Sequence, residues 1–368
     1  METKKIHVLA FYLPQYYPVQ ENNEWFGEGF TEWTNVARSK PLFKGHIQPK
    51  VPSSLGFYDL RLNEVRIRQS ELAKEAGISA FFYYHYWFGN GRVILEKPLD
   101  LLINSSAPDF PFCLCWANHS WKRKNWNPRT NLLEEDLLIE QTYPGEKDIV
   151  DHFYYLLPAF KDHRYYKIDG RLVFSIYNSI GFPDFTKLKS IWNKLALENG
   201  LPEFYFIGYT SLIENLSNPY MLEYDCAMLS LITNIQFHQN RSFFSRAKNK
   251  IKEKVSEWSN RPLFVYNYKD VLPLLLDESC KIDRNIPVIF PNWDYTPRRG
   301  AGGLILKNST PELFKKHASE AVRMVASKPD KYRIIVVKSW NEWGEGNYME
   351  PDMEYGMGYI KSLKEALE

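Results

Sequence analysis

The chain has 368 residues and a formal net charge of +2, so its overall charge does not indicate a nucleic-acid or membrane partner. Hydrophobic residues make up 44% of it, enough for a sizeable core, and this length is common for a single (β/α) barrel. Aromatic residues reach 16%, with 11 Trp and 24 Tyr. Side chains that combine an apolar face with a polar tip suit flat, hydroxylated ligands such as sugars; a wet protein interface is the alternative.

The four cysteines predict reduced thiols rather than a disulfide framework. Cys113 and Cys115 lie two residues apart on one predicted strand, where they cannot easily bridge, while Cys226 and Cys280 are isolated. The first residues carry no signal-peptide core, and no stretch reaches the roughly 20 apolar residues of a membrane helix. These features predict a cytoplasmic protein without an integral membrane segment.

Short runs rich in β-branched and aromatic residues alternate with helical patterns along the chain. The runs are nearly continuous in apolar residues, as strands covered on both faces should be. We therefore predict an α/β fold consisting of one (β/α)8 TIM barrel over residues 1–368. An open doubly wound sheet is the alternative, but its G-x-G-x-x-G fingerprint is missing after the first strand. The eight predicted strands are 6–12, 78–87, 110–117, 171–177, 204–210, 226–231, 287–293 and 333–340.

The segments between the predicted strands carry helix signals. Helices are predicted over 64–76 and 184–199, and Gly77 and Gly200 follow them as helix-ending glycines. A last helix is predicted over 359–367.

Two stretches are predicted insertions in the barrel. Residues 13–63 form a long loop rich in proline and tryptophan, and loops of this length tend to carry function. Residues 240–262 are a basic amphipathic segment, predicted as a solvated helix on the barrel rim. Peripheral contact of this segment with an anionic glycan or lipid surface is the alternative.

Aromatic and hydrogen-bonding residues follow five of the predicted strands. Catalytic groups of a (β/α)8 barrel lie where the strands finish, so these residues would meet in one cleft. They are predicted to bind an oligosaccharide or polysaccharide substrate through stacking platforms and polar anchors. An ordinary ion pair is the alternative for Asp294 and Arg298. The candidate substrate-binding residues are Tyr12, Gln15, Tyr84, His85, Trp87, Trp116, Asn118, Trp293, Asp294, Arg298, Trp340 and Asn341.

The segment "WNEWGEG", residues 340–346, directly follows the last predicted strand and holds Glu342 and Glu345 between tryptophans and glycines. If the chain makes a helical turn there, two residues three apart share a face. Cleavage of a glycosidic bond needs a proton donor and a second carboxylate, and nearby tryptophans favour the raised pKa of a general acid. The alternative is that the tryptophans pack the core while both glutamates are simply solvated.

Other chemistries find little support in the sequence. The eight histidines show neither H-x-H nor H-E-x-x-H spacing, so no metal is predicted. There is no G-x-S-x-G elbow, P-loop or D-x-D metal motif, and no cofactor or nucleic-acid partner is predicted.

Several motifs together resemble the WbsX-type family over nearly the whole chain. They are "FYLPQYYP", "WFGEGFTEW", the segment from Phe81 to Glu96, "FPFCLCWAN", "PNWDYTPRR" and "WNEWGEGNYMEPD". The family is known for glycosyltransferases of O-antigen and capsule gene clusters and is described as glycoside hydrolase family 99-like.

This resemblance implies a (β/α)8 barrel that acts on surface polysaccharide without a metal. By analogy with glycoside hydrolase family 99, Glu342 would take the proton from the sugar 2-hydroxyl and give a 1,2-anhydro sugar. Glu345 would protonate the leaving oxygen and then activate water, so the reaction would be endo-acting hydrolysis or transglycosylation with retention. The chain departs from the family pattern at His119, where an acidic residue usually follows "WAN". A biosynthetic glycosyltransferase and a non-catalytic glycan-binding barrel are the alternatives.

Overall fold

The computed structural model of the protein describes residues 5–127, 132–233, 235, 262 and 264–368, without the side chains of 123–127 and 132–135. The predicted helix over 240–262 lies outside the described residues, apart from Pro262. Within the described part, no helix combines the length and the apolar character needed to cross a membrane.

Eight parallel strands form a closed barrel, in the order β1-β8-β7-β6-β5-β4-β3-β2 and back to β1. Closure joins the first strand to the last, with His7 opposite Ile334 and Ala10 opposite Val337. Nearly every strand residue is buried, because helices cover the outer face and side chains fill the interior. The strands are β1 His7–Tyr12, β2 Ala80–Trp87, β3 Phe112–Trp116, β4 Arg171–Ile176, β5 Phe204–Thr210, β6 Cys226–Leu229, β7 Asn285–Ile289 and β8 Ile334–Val337.

Helices lie between the strands and cover the outer face. The described helices are α1 Gln20–Phe26, α2 Glu32–Arg38, α3 Asn63–Ala76, α4 Lys97–Ile103, α5 Glu146–Phe160, α6 Phe185–Glu198, α7 Pro219–Leu222, α8 Tyr268–Leu275, α9 Thr296–Arg299, α10 Pro311–Val325 and α11 Gly358–Leu367. Short 3-10 helices span Ile213–Ser217, Leu231–Thr233, Glu278–Lys281, Gly300–Gly302, Asp330–Tyr332 and Trp343–Glu345.

Short strands outside the barrel form additional pairs. Val93–Ile94 pairs with β2 and Lys167–Ile168 with β4, both antiparallel. Three further pairs are Trp121–Asn127 with Leu132–Ile139, Phe264–Asn267 with Leu304–Lys307, and Asn341–Glu342 with Asn347–Tyr348.

The predicted barrel is confirmed, including its eight strands. The sequence signals at Gly77 and Gly200 are also confirmed, because both glycines have positive φ just after α3 and α6. The seventh and eighth strands end earlier than predicted, at Ile289 and Val337. Their remaining residues leave the sheet as loops on the C-terminal face of the barrel.

Two features bring the mouth of the barrel together. The connection between β1 and α3 contains α1 and α2 and contacts the segment that follows β8. The Asn341 side chain accepts a hydrogen bond from the Leu13 backbone N–H at 2.7 Å and donates to the Leu13 carbonyl at 3.0 Å. Asn341 therefore joins the ends of the first and last strands.

All four cysteines are buried and free, as the sequence predicted. We expect none of them to react with an aromatic disulfide reagent in the folded protein, because burial keeps the reagent out and raises the pKa of each thiol. Unfolding in guanidinium should release four reactive thiols. Measurement of the absorbance of the released thiolate checks this, and fewer than four thiols in the unfolded protein would contradict it.

Candidate active site

The segment after β8 carries both glutamates into the barrel mouth. Glu342 ends a two-residue strand, and residues 343–345 form a 3-10 turn, so Glu342 and Glu345 fall on the same side of the segment. Both carboxyl groups are almost completely buried, and each keeps one oxygen, Oε2, without a hydrogen-bond partner. The two carboxyl groups lie within hydrogen-bonding distance of each other, so a proton on one of them can be donated to the other.

The two carboxyl groups differ in their affinity for a proton. Burial and the neighbouring charge of Glu342 raise the pKa of Glu345 to about 8. Burial also acts to raise the pKa of Glu342, but the Lys338 ammonium, the contact with Glu345 and the Arg298 guanidinium lower it below its usual range. These opposite shifts favour a proton on Glu345 and a negative charge on Glu342.

A clamp formed by the charged side chains of Arg298 and Glu32 holds Glu345. The Arg298 guanidinium contacts a Glu345 oxygen through Nη1 and the Glu32 Oε1 oxygen through Nε at 2.8 Å. Glu32 begins α2 and is only 1% exposed, so this contact pairs an otherwise buried carboxyl group. Neither Glu32 nor its pairing with Arg298 was predicted, although Glu32 stands in the motif "WFGEGFTEW".

Lys338 is a second residue that sequence reasoning missed. It directly follows β8 and is 5% exposed, with its ammonium 5.9 Å from the ring centre of Phe11, 5.7 Å from that of Tyr177 and 5.8 Å from that of Trp293. A lone lysine at the end of the apolar run Ile334–Val337 was the signal that could have indicated it.

Aromatic rings line the barrel interior next to the pair. Tyr84 stacks on Phe11 at 4.9 Å and lies beside Glu342, whose pKa its hydroxyl helps to lower. Tyr177 stacks on Tyr209 at 4.3 Å and meets the exposed His119 at 5.7 Å. Such faces are suitable stacking surfaces for a sugar ring.

Of the twelve candidate binding residues, the structure brings two side chains into contact with the glutamates, those of Tyr84 and Arg298. Trp293 is half-buried beside Lys338. Gln15 is half-buried, and its main-chain carbonyl accepts a 3.0 Å hydrogen bond from the Glu32 N–H.

Five of the predicted binding residues lie on the outer side of the barrel wall, which corrects that part of the prediction. Successive side chains of a strand point to opposite faces, so residues next to an inward-facing position point outward. Tyr12 donates to Gln69 of α3 at 2.7 Å, and Trp340 packs against Phe81. His85, Trp87 and Trp116 all contact His152 of α5.

The remaining three candidates form hydrogen bonds that shape the loops. Asn341 joins the strand ends as described, and Asn118 donates to the Asn178 carbonyl and accepts from the Asn178 N–H. Asp294 accepts from His46 and Gln48, each at 2.7 Å, and twice from Thr296. Burial would raise the pKa of Asp294, but these hydrogen bonds lower it, so its carboxylate is already satisfied and does not pair with Arg298.

Among the described residues, no group of three or more His, Cys, Asp or Glu side chains is arranged to hold a metal ion. The histidines in this part of the chain serve other contacts. His46, for example, forms a hydrogen bond with Asp294. The Nε2 atom of His85 lies 2.8 Å from the Nε2 atom of His152.

Comparison with known proteins defines the class of the molecule. The family model described as Glycosyltransferase WbsX matches residues 8–363. Two proteins called Uncharacterized protein WxcX, from strains B100 and ATCC 33913 of Xanthomonas campestris pv. campestris, are 30% and 31% identical to the chain over its full length. The chain spans about half the length of these relatives. It belongs to the WbsX glycosyltransferase family, as its motifs indicated.

Solved structures show the same fold. The GH99 endo-alpha-mannosidase from Bacteroides thetaiotaomicron superposes with a TM-score of 0.58 at 16% identity, covering 98% of this chain and 96% of that one. A protein described as Glycoside hydrolase-like protein gives a TM-score of 0.58 at 18% identity and covers 100% of this chain and 96% of its own. These similarities establish the barrel architecture.

Gly344 provides a test of the clamp. A Cβ at this position would lie 1.5 Å from the Glu32 Oε1 oxygen and 3.2 Å from the Arg298 Nε. We expect Gly344→Ala to displace Glu32 and lower the free energy of unfolding by about 1–3 kcal/mol, as overpacking usually does. Urea unfolding followed by tryptophan fluorescence measures the loss. Gly302→Ala is the matched control, because its Cβ would meet nothing within 4 Å. Equal stability of the two variants would contradict the clamp.

Proposed function

We propose that the protein is a glycan-active enzyme whose catalytic groups are Glu342 and Glu345, and that it cleaves or transfers a glycosidic linkage with retention. The observation that carries the proposal is the pair itself: two adjacent buried carboxyl groups whose pKa values are shifted in opposite directions. One group is thereby an acid and the other a base at the same pH, as glycosidic bond cleavage requires.

The proposed first step uses both groups at once. Glu342, as carboxylate, takes the proton from the sugar 2-hydroxyl while that oxygen attacks the anomeric carbon and closes a 1,2-anhydro ring. Glu345, as carboxylic acid, gives its proton to the leaving oxygen, so the glycosidic bond breaks with its electron pair on that oxygen.

The second step returns the groups to their starting states. Glu345, now a carboxylate, takes a proton from water or from an acceptor hydroxyl, which attacks the anomeric carbon. The anhydro ring opens, and its oxygen recovers a proton from Glu342. Two inversions at one carbon give net retention.

A pocket of about 340 Å³ adjoins the segment of the two glutamates at Gly346, although neither glutamate lines it, and is bordered by Trp293, Phe43 and Tyr355. Its size falls within the usual range of ligand pockets, and its aromatic faces suit a further sugar unit. This arrangement supports an oligosaccharide or polysaccharide as substrate, and the likeness to an endo-acting mannosidase supports internal cleavage of the glycan.

The family name favours a second candidate, a glycosyltransferase of surface polysaccharide biosynthesis. The two functions differ in the sugar donor. We would incubate the protein with surface polysaccharide from the organism that encodes it, with and without nucleotide sugars, and analyse products by mass spectrometry and proton NMR. Retained-configuration products formed without nucleotide sugar are expected. Products formed only with a nucleotide sugar would establish the transferase instead.

Glu345→Gln should reduce turnover by about 10²–10⁴-fold, because an amide cannot protonate the leaving oxygen. Substrate binding, measured by calorimetry, should be retained, because the amide keeps the size of the carboxyl group. The matched control is Glu278→Gln, which alters an exposed glutamate that pairs with Lys281 in the 3-10 helix before β7, outside both the catalytic pair and the pocket. A Glu345→Gln enzyme with unchanged turnover would remove this residue from the mechanism.

The pH dependence of kcat/KM should fall on its alkaline side near pH 8. The acid must be protonated to act, and Glu345 loses its proton as the pH rises through its pKa of about 8. A pH series with a soluble glycan substrate measures this limb. A profile that stays flat to pH 10 would show that no group with this pKa is required.

A further inference from the structure

Lys338 is a buried cation without a conventional partner. Its side chain is 5% exposed, and among the described residues it forms neither a hydrogen bond nor an ion pair; its neighbours are the rings of Phe11, Tyr177 and Trp293. A buried charge normally requires pairing, because removing an ammonium from water is costly. Cation–π contacts offset part of that cost, so the position of Lys338 calls for an explanation beyond packing.

The surroundings of Lys338 indicate that its ammonium interacts electrostatically with the Glu342 carboxylate. Tyr84 lies beside both residues, and it stacks on Phe11, whose ring also faces the Lys338 ammonium. Lys338 and Glu342 are thus held in the same part of the barrel interior.

The other cation of the site is divided between two carboxyl groups. Arg298 contacts both Glu32 and Glu345, so one positive charge faces two groups that can be negative. Lys338 is not shared in this way, because among the described residues its ammonium forms no ion pair and faces aromatic rings instead. Glu345 therefore has less positive charge to stabilise its ionised form than Glu342 has, so the proton of the pair is more stable on Glu345.

We propose that Lys338 is a positioning residue that assigns the two catalytic roles: its ammonium holds Glu342 as a carboxylate and so leaves the proton of the pair on Glu345. The consequence for turnover rests on the proposed function. The position of the proton does not, because it is a property of the protein without substrate.

The other titratable groups around Glu342 do not compete for this role near neutral pH. Burial raises the pKa of Tyr84 and of Tyr86, so both hydroxyls stay neutral. Arg298 remains charged, because Glu32 and Glu345 raise its pKa against the effect of burial. Burial also acts to lower the pKa of Lys338, but Tyr177, Tyr84 and Glu342 raise it, so the ammonium persists.

Lys338→Met is the direct test, because methionine is unbranched and fills the same aromatic surroundings without a charge. Loss of the cation should raise the pKa of Glu342, and a nearby opposite charge is worth about 1–3 pH units. The acidic limb of the kcat/KM profile, where Glu342 gains its proton, should therefore move to higher pH by at least about 1 unit. Lys338→Arg should restore the original limb.

Lys328→Met is the matched control. Lys328 is also buried, at 2% exposure, but its ammonium donates to the Asn285 carbonyl at 2.6 Å, at the opposite, N-terminal end of the barrel. Its replacement should lower the melting temperature and leave the acidic limb where it is. An equal shift in both variants would show that Lys338 acts only through general stability and would overturn the proposal.

Infrared titration of the ligand-free protein gives a readout that does not need turnover. Protonated carboxylic acids absorb separately from carboxylates, and Glu342→Gln and Glu345→Gln identify the two bands. We expect the Glu342 band to appear at higher pH in folded Lys338→Met than in the wild type. An unchanged Glu342 titration would refute the role of Lys338. A shifted titration in a protein that cleaves no glycan would retain it and reject only the proposed function.

Discussion

Two carboxyl groups buried side by side cannot both be ionised at neutral pH without a large cost, and the site is organised around this constraint. The barrel mouth supplies two cations, Arg298 and Lys338, and a third carboxylate, Glu32. The third carboxylate matters as much as the cations, because it competes with Glu345 for Arg298. An arginine bound to Glu345 alone would stabilise its ionised form and would work against a general acid.

The charges come from widely separated parts of the sequence. Glu32 lies in the connection after β1, Arg298 in the one after β7, and both glutamates follow β8. Barrel closure between β1 and β8 brings the first and last of these segments into contact. The long connection after β1 therefore contributes a charge beside the pair, and its helix α2 packs on the turn that carries Glu345.

A hydrogen-bond network fixes the backbone on which the pair stands. The Tyr16 hydroxyl accepts a hydrogen bond from the Trp343 N–H at 3.1 Å and donates one to the Asn341 carbonyl. It therefore bonds the backbone of the residues on both sides of Glu342. Glu350 accepts from the Trp343 indole at 2.6 Å and from the Tyr58 hydroxyl at 2.9 Å. Burial raises the pKa of Glu350 to about 7 against these donors. Groups that are held this firmly keep the geometry of a site when substrate enters.

The barrel could be predicted from the sequence because each strand is a short apolar run bounded by helix or turn signals. The glutamate pair could be located because it stands three residues apart at the end of such a run. The side chains that surround the glutamate pair could not be predicted from the sequence. Trp87 and Trp116 look like sugar platforms in sequence, but strand alternation turns them toward α5, and only three-dimensional pairing shows which parity faces inward. Glu32 and Arg298 are 266 positions apart, and no local pattern relates them.

The family name suggests transfer of a sugar and the barrel architecture suggests hydrolysis, and the proposed mechanism accommodates both. In the proposed mechanism the anhydro sugar forms before the acceptor reacts, and Glu345 activates whichever hydroxyl is present. Water gives hydrolysis, whereas the hydroxyl of another glycan gives transfer, and neither outcome changes the roles of the two glutamates. What separates them is the relative access of water and of an acceptor sugar to the cleft. In the proposed mechanism the half-buried aromatic rings of Trp293 and Tyr177, which lie against Lys338, are the candidates to control that access.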